Sequence, residues 1–488
     1  MIGAAVMTAL FLIQGCARGS MEHSIVPSEN NWKEIGAANP ISANVFCADP
    51  TGVEYQGRLY MYGTNDHQQY ENARKNTYEK IKSLVMMSTD DMVNWTFHGL
   101  INTEKVAPWV INSWAPSIVS RQEEDGQTHF YLYFSNNGTG VGVITATSPV
   151  GPWSDPLKRP LIKQRMPEIL GSPNPFDPGA VIDDNGTGWL AFGGGTMPDG
   201  TDEMPGSARL ARLGADLLSL DSVIVMPSPY FFEASEMNFI NGTYVYTLNN
   251  NWVPRKAETW PHQGVPMPAQ CSMAYMTTKT PLDAASWTYR GHYFLNAGES
   301  GMEYSNNHTH IVKFQGQYYI MNHTQLLQER PGIKGGFRSM MIDSLQVDEE
   351  NVSISLTKAS RGGVGQIKYL DPYQKVPATT MSNNADIWYL DIEDPENIQV
   401  QSTASGAWLS VSGVDFGLGA RKFTTQVQGV GHVEVRLDSV DGETVASVES
   451  CDDACEVTAR LASRISGIHD LYILFSEKDM AMKYWTLR

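Results

Sequence analysis

Cysteine is scarce in this chain, five in 488 residues. That is too few for a disulfide scaffold, and no spacing among them fits a zinc site. Basic charge is also in short supply: 35 lysines and arginines face 53 acidic residues, for a net charge of -18. Such a balance excludes nucleic acid and anionic membrane surfaces as partners. Beyond the N-terminus no apolar run approaches the roughly 20 residues of a membrane span. Helical periodicity is almost missing from Ile41 to Tyr373. What is there instead is strand, turn and aromatic side chain, on an acidic background that suits neutral polyols better than phosphorylated ligands.

The few cysteines divide by context. The N-terminus MIGAAVMTALFLIQGCARGS holds an apolar stretch of signal-peptide length ending in Ile13-Gln14-Gly15-Cys16, which resembles a bacterial lipobox. Residues 1–20 are therefore expected to be an export signal, with Cys16 as a lipid attachment site and the protein periplasmic, anchored at the cell surface or secreted. Cys451 and Cys455, in SCDDAC, are spaced to close a small loop in an oxidising compartment. Cys47 reads as a small buried residue at a strand start, because no histidine lies near it in sequence to activate a thiolate.

Three segments repeat one frame: CADPTGVEYQGRLYMYGTN, PFDPGAVIDDNGTGWLAFGG and YFFEASEMNFINGTYVYTLNN. Each opens on an acid (Asp49, Asp177, Glu233), crosses an alternating strand, turns on glycine and returns as an aromatic-rich strand. NSWAPSIVSRQEEDGQTHFYLYFSNN and NNHTHIVKFQGQYYIMNHT share the frame without the acid. The anchors Asp49, Pro116, Asp177, Glu233 and His308 stand 67, 61, 56 and 75 residues apart. Five units of that size predict a five-bladed β-propeller over residues 38–372, with its innermost strands directing three carboxylates into one funnel. A linker follows at 373–387. A second all-β pattern at 388–488 predicts a β-sandwich of jelly-roll type.

Cleaving a glycosidic bond requires an acid for the leaving oxygen and a carboxylate that activates water or attacks directly. The acid must stay protonated near neutral pH, which burial or a neighbouring negative charge can bring about. Two aspartates and a glutamate on different blades supply all the parts. Asp-Pro is also a common turn opener, the bland reading of Asp49 and Asp177. Glu236 competes with Glu233 for the acid role, but an odd separation along a strand puts the two on opposite faces.

The blocks ADP, WAPSI, FDPGAVIDDNGTGWLAFG, FFEAS and RSMMIDSL, with DDMVNWTFHGLI and SPVGPWSDPL between them, resemble the signatures of glycoside hydrolase family 43 from about Ala43 to Val347. The resemblance implies a five-bladed propeller that inverts the anomeric centre, acting on arabinan, xylan or arabinoxylan as an α-L-arabinofuranosidase or β-xylosidase. It implies Asp49 as general base, Asp177 as the residue that raises the acid's pKa and Glu233 as general acid, with no cofactor required for the chemistry. His308 matches that family's central histidine near the funnel floor, as a candidate calcium contact or a hydrogen-bonding core residue. Trp114 either floors a sugar subsite by stacking or packs between blades, Arg338 either partners an active-site carboxylate or forms a structural ion pair, and Trp252 is a candidate rim residue. The C-terminal stretches GAWLSVSGVDFG, VEVRLDSVDGETVASV and GIHDLYILF resemble a family 6 carbohydrate-binding module. Its terminal SEKDMAMKYWTLR lacks the asparagine usual there, and CDDACEV stands where an aromatic is expected. A purely structural sandwich buttressing the propeller is the alternative. Two other functional readings are a retaining fructan- or sucrose-cleaving propeller and a sugar-binding propeller without catalysis. The first would call for Asn-Asp-Pro, Arg-Asp-Pro and Glu-Cys blocks, where this chain has Ala48, Phe176 and Ala234 beside its acids. The sequence carries no signal for an oligomeric state.

Overall fold

The computed structural model describes residues 24–261 and 264–488; Cys16 and the expected export signal lie outside them. Five antiparallel sheets follow one another from Ala48 to Leu345. The first four blades have four consecutive strands each, beginning at Ala48–Tyr55, Trp114–Gln122, Gly179–Ile182 and Phe231–Ile240, and the fifth has three, beginning at His310–Phe314.

Period-two alternation explains why the blades stack. In the strand Thr128–Ser135 of the second blade, Phe130, Leu132 and Phe134 pack toward the first blade with Tyr62, Leu84 and Met86. Its intervening Tyr131 and Tyr133 pack toward the third with Ala180, Leu190 and Phe192. Separate apolar clusters likewise join the third blade to the fourth and the fourth to the fifth. No blade has a core of its own; each seam is shared, so the ring is stable only when closed.

The last seam is larger than the others. Val312, Phe314 and Met321 of the fifth blade and Leu59, Met61 and Trp95 of the first belong to one buried cluster with Ile387, Val400, Leu409, Phe423 and Trp485. Those five come from the second domain, a sandwich of two sheets: one runs through Ile387–Leu390, Gln399–Ser402, Ala481–Leu487, Ala420–Gln428 and Cys455–Ile465, the other through Asn383–Ala385, Trp408–Asp415, Ile468–Phe475, His432–Leu437 and Thr444–Glu449. Propeller and sandwich thus share a core, the buttressing arrangement.

The stretch 373–387 differs from the expected linker. Thr380–Met381 pairs with Trp95 and Thr96 as a fifth strand of the first blade, while Val376–Pro377 pairs with the sandwich strand Ala481–Leu487. Its small polar residues, read as linker composition, are buried: Thr379, Thr380, Ser382, Asn383 and Asn384 all lie inside, bonded across the junction to partners such as Lys33, Thr96 and Ser410. The N-terminal segment crosses the same junction. Ile25 N–H donates to Glu434 Oε1 at 3.1 Å, Trp408 Nε1 donates to the Ser28 carbonyl at 2.8 Å, and Arg436 Nη2 donates to the Ile25 carbonyl at 2.6 Å. Cys451 and Cys455 form a disulfide, and Cys47 is buried.

Candidate active site

The funnel is built from a repeated backbone device. Asp49, Ala115, Asp177 and Ala234, near the starts of the innermost strands of the first four blades, all adopt the left-handed conformation, with φ of 49°, 38°, 48° and 57°. Three of these starts carry a break in pairing register, at Ala48/Thr51, Trp114/Ser117 and Phe231/Glu233/Glu236. Aspartate tolerates this region better than most side chains. The backbone N–H at each such position donates to a side chain of the preceding blade: Asp49 to His323 Nδ1 at 3.1 Å, Ala115 to Thr64 Oγ1 at 2.8 Å, Asp177 to Ser135 Oγ at 2.8 Å and Ala234 to Asp177 Oδ2 at 3.0 Å. By this criterion Pro116 and Glu233 are each displaced by one residue from the structural anchor. The true equivalents are Ala115 and Ala234.

The three carboxylates stand in different settings. Asp49 accepts from Thr64 Oγ1 at 2.7 Å and from Arg338 Nη1 at 2.8 Å. Burial alone would raise its pKa, but Arg338, with His323 and His308, outweighs burial and holds the carboxyl well below the usual carboxylate range. Asp177 bonds Ser135 Oγ at 3.2 Å and the Ala234 N–H at 3.0 Å. Burial and the charge of Asp49 raise its pKa. Glu233 is raised by burial, then by Asp177 and Asp49. Its carboxyl makes no hydrogen bond among the described residues, so any proton on it is free to leave toward the funnel. Asp177 and Glu233 are thus both held above the usual carboxylate range, and Asp49 below it.

Arg338 reaches a second carboxylate as well. Besides Asp49 it binds Asp66 through Nε at 2.9 Å and Nη2 at 2.8 Å, and its guanidinium lies 4.8 Å from the Tyr78 ring centroid. Trp114 is half-buried and donates from Nε1 to the Tyr78 carbonyl at 3.0 Å. This puts its ring on the same wall. Trp252 is 41% exposed on the loop that follows the strand Thr243–Asn250, whose Asn249 pairs with Glu233. His308 lies with Nδ1 3.6 Å from Asp49 Oδ1, and burial lowers its pKa to about 4.

His308 offers a single nitrogen, and the carboxylate beside it is already committed to Arg338. Among the described residues no cluster of three or more His, Cys, Asp or Glu could hold a metal. These donors do not make the cage of six to eight oxygens that calcium takes, so no step below depends on a metal.

Several functional neighbours have no motif of their own. Thr64, Ser135 and His323 sit at or next to the last residue of the second strand of their blades, and a polar residue ending each of RLYMYGT, THFYLYFS and QYYIMNHT is the available signal. Asp66 and Tyr78 come from the segment between two strands of the first blade, Asp66 opening the short helix Asp66–Asn72 and Tyr78 lying in the loop after it. Glu236 is fully buried, with Oε1 3.2 Å from His310 Nδ1, and His310 Nε2 lies 3.1 Å from the Gly52 carbonyl. A carbonyl only accepts, so Nε2 is the donor in that contact, and among the described residues Nδ1 and both Glu236 oxygens lack a hydrogen-bond partner. That carboxyl faces a seam between blades.

A model of glycosyl hydrolases family 43 matches residues 35–352. The chain belongs to this family. It is a glycoside hydrolase, which sets aside the reading of a propeller without catalysis. Residues 378–488 match carbohydrate binding module family 6. An arabinoxylan arabinofuranohydrolase from Bacillus subtilis is 34% identical over 96% of this chain and 94% of its own. One from Paenibacillus polymyxa is 33% identical over 90% of this chain and 72% of its own. The crystal structure of a family 43 arabinoxylan arabinofuranohydrolase from Bacillus subtilis, in complex with cellotetraose, superposes with a TM-score of 0.85 at 32% identity, covering 94% of this chain and 99% of that one. This family 43 chain therefore has relatives that share its propeller and its sandwich together.

Proposed function

We propose that this family 43 enzyme removes arabinofuranosyl groups from arabinoxylan by a single inverting displacement. The observation that carries the mechanism is the contrast within one funnel between Asp49 and Glu233. Asp49 is clamped in its anionic form by Arg338 and Thr64, the state required of a base that takes a proton from water. Among the described residues Glu233 has no bonded partner, and its pKa is raised, the state required of an acid that protonates the leaving oxygen. Asp177 stands between these roles: its charge raises Glu233, and its hydrogen bond to the Ala234 N–H fixes the backbone next to the acid. Trp114 and Trp252 contribute sugar-facing surface on the wall and rim. The substrate follows from the two arabinoxylan-active relatives, which are similar over nearly the whole chain.

The test is turnover of aryl arabinofuranoside, xyloside and galactoside alongside arabinoxylan, arabinan and xylan, with product anomers followed by NMR. Release of arabinose from arabinoxylan with inverted configuration is expected. First-formed product of retained configuration would replace the inverting scheme, and activity confined to xylosides or arabinan would replace the substrate.

The apolar N-terminus ending at Cys16 supports export with lipid attachment at that residue. Cys16→Ser should release the protein from the membrane fraction, and unchanged fractionation would reject lipidation.

A further inference from the structure

The junction between propeller and sandwich holds an aromatic cleft to which no role has been assigned above. Its volume is about 310 Å3, and its walls include Trp32, His67, Tyr70, Trp388, Asn384 and Thr403. Three different parts of the chain supply the rings: Trp32 from the N-terminal segment, His67 and Tyr70 from the short helix Asp66–Asn72, and Trp388 from the first full strand of the sandwich. Trp388 stacks on His67 with centroids 4.6 Å apart, and Tyr70 meets His67 edge-on at 5.3 Å. All three of Trp32, Tyr70 and Trp388 are only half-buried. Among the described residues the Trp32 and Trp388 indole N–H groups and the Tyr70 hydroxyl form no hydrogen bond. The one carboxylate in the wall, Asp386, is already bonded to Ser28 and Asn30.

Ring faces with unspent donors and no free charge form a surface for a neutral polyol: C–H faces stack on the rings and hydroxyls take the donors. The cleft is also tied to the catalytic centre. The helix begins at Asp66, the residue that grips Arg338 behind Asp49. At ~1.5 Å per residue, Tyr70 lies roughly 6 Å along the helix axis from Asp66. Tyr70 also walls a neighbouring cleft of about 860 Å3 that it shares with Gly332, Ile333 and Phe337, just ahead of Arg338. The two depressions meet at Tyr70.

We propose that this cleft is a remote subsite for the pyranose backbone of the polysaccharide substrate, with Trp388 and Tyr70 as its platform. The sandwich then contributes to catalysis on polymers by completing a site at the junction. The proposal rests on the polysaccharide reading above.

The test uses the full-length chain with Trp388→Ala, Tyr70→Ala and Tyr70→Phe, each checked for a wild-type melting profile. KM and kcat are measured on whichever polymer the wild type hydrolyses and on an aryl arabinofuranoside. Loss of one stacked ring with its hydrogen bond should raise KM for the polymer roughly tenfold, well beyond any change on the aryl substrate. Equal effects on both substrates, or none on the polymer, would overturn the proposal. If the alanine variants melt early, the indole N–H resonance of Trp388 in the wild type, assigned with Trp388→Phe, is followed while xylohexaose is added. A saturable shift supports the subsite, and an unmoved resonance overturns it. Inactivity on arabinoxylan with activity on another polymer would refute the substrate reading alone, since the comparison is then made on that other polymer.

Discussion

Asp49 and Glu233 differ in what surrounds them more than in chemistry, and substitution at each should expose that. Asp49→Asn removes the base and should abolish turnover whatever the leaving group. Glu233→Gln should cost on the order of a hundredfold to ten-thousandfold on natural glycosides, whose leaving oxygen needs a proton, and less on activated aryl glycosides. Asp177→Asn deletes a negative charge beside Glu233. With less repulsion the acid ionises more easily, so the alkaline limb of the pH–rate profile should move to lower pH. The buried histidines set a separate limit. Burial lowers His308 from 6.5 to about 4 and lowers His67 and His98 from 6.5 to about 3. A folded-state pKa below the unfolded one means the unfolded chain binds more protons within that window. Stability should therefore be present above pH 6.5 and fall as the pH drops toward 4 and below. Urea unfolding at pH 7, 5.5 and 4.5 checks this. His98→Gln should flatten the loss.

At the scale of elements, the seams between blades are tight where a side chain is absent. A Cβ on Gly179 would stand 2.3 Å from Glu236 Cα, across the seam between the third and fourth blades. The obstacle is backbone and cannot swing away, so Gly179→Ala should destabilise by about 1–3 kcal/mol and shift the strand that carries Glu233. A lowered denaturation midpoint together with reduced kcat is the expected signature. The blade frame was legible in the sequence because period-two alternation with glycine turns is a local pattern, and each strand obeys it. The register at the funnel was less legible. Breaks in pairing at three strand starts alter the count of residues, so anchors aligned by acidity fell on Glu233 where the backbone equivalent is Ala234. Parity had separated Glu233 from Glu236 across a regular strand; the strand is irregular between them, and what sets Glu236 apart is its burial against His310. Asp66 and Tyr78 escaped sequence reading, because a helix of seven residues and the loop after it are too short to show a periodicity from which to infer which way a side chain points.

At the scale of the whole molecule, the division into catalytic domain, linker and appended module does not describe the packing. Removing everything after Lys375 would strip Ile387, Val400, Leu409 and Trp485 from the cluster that also contains Leu59, Met61 and Met321, and would take the fifth strand from the first blade. Such a truncation should be insoluble or melt far below the full chain, and a soluble fragment with wild-type turnover of aryl glycosides would contradict the shared core. The linker reading failed because small polar residues serve equally well in a flexible tether and in a hydrogen-bonded junction, and composition cannot tell them apart.

The contacts of Ile25 and Ser28 with Trp408, Glu434 and Arg436 have a consequence for the order in which the molecule assembles. Residues 25 and 28 have their partners in the last hundred residues of the chain, so they must wait until nearly all of it has been made. These partners, one acceptor and two donors, all lie in the sandwich, and the segment stays solvated while the propeller forms behind it. Amide protection at Ile25 should therefore be among the last to appear in a pulse-labelled refolding experiment, after the strands of the blades. A segment made early is thus completed late.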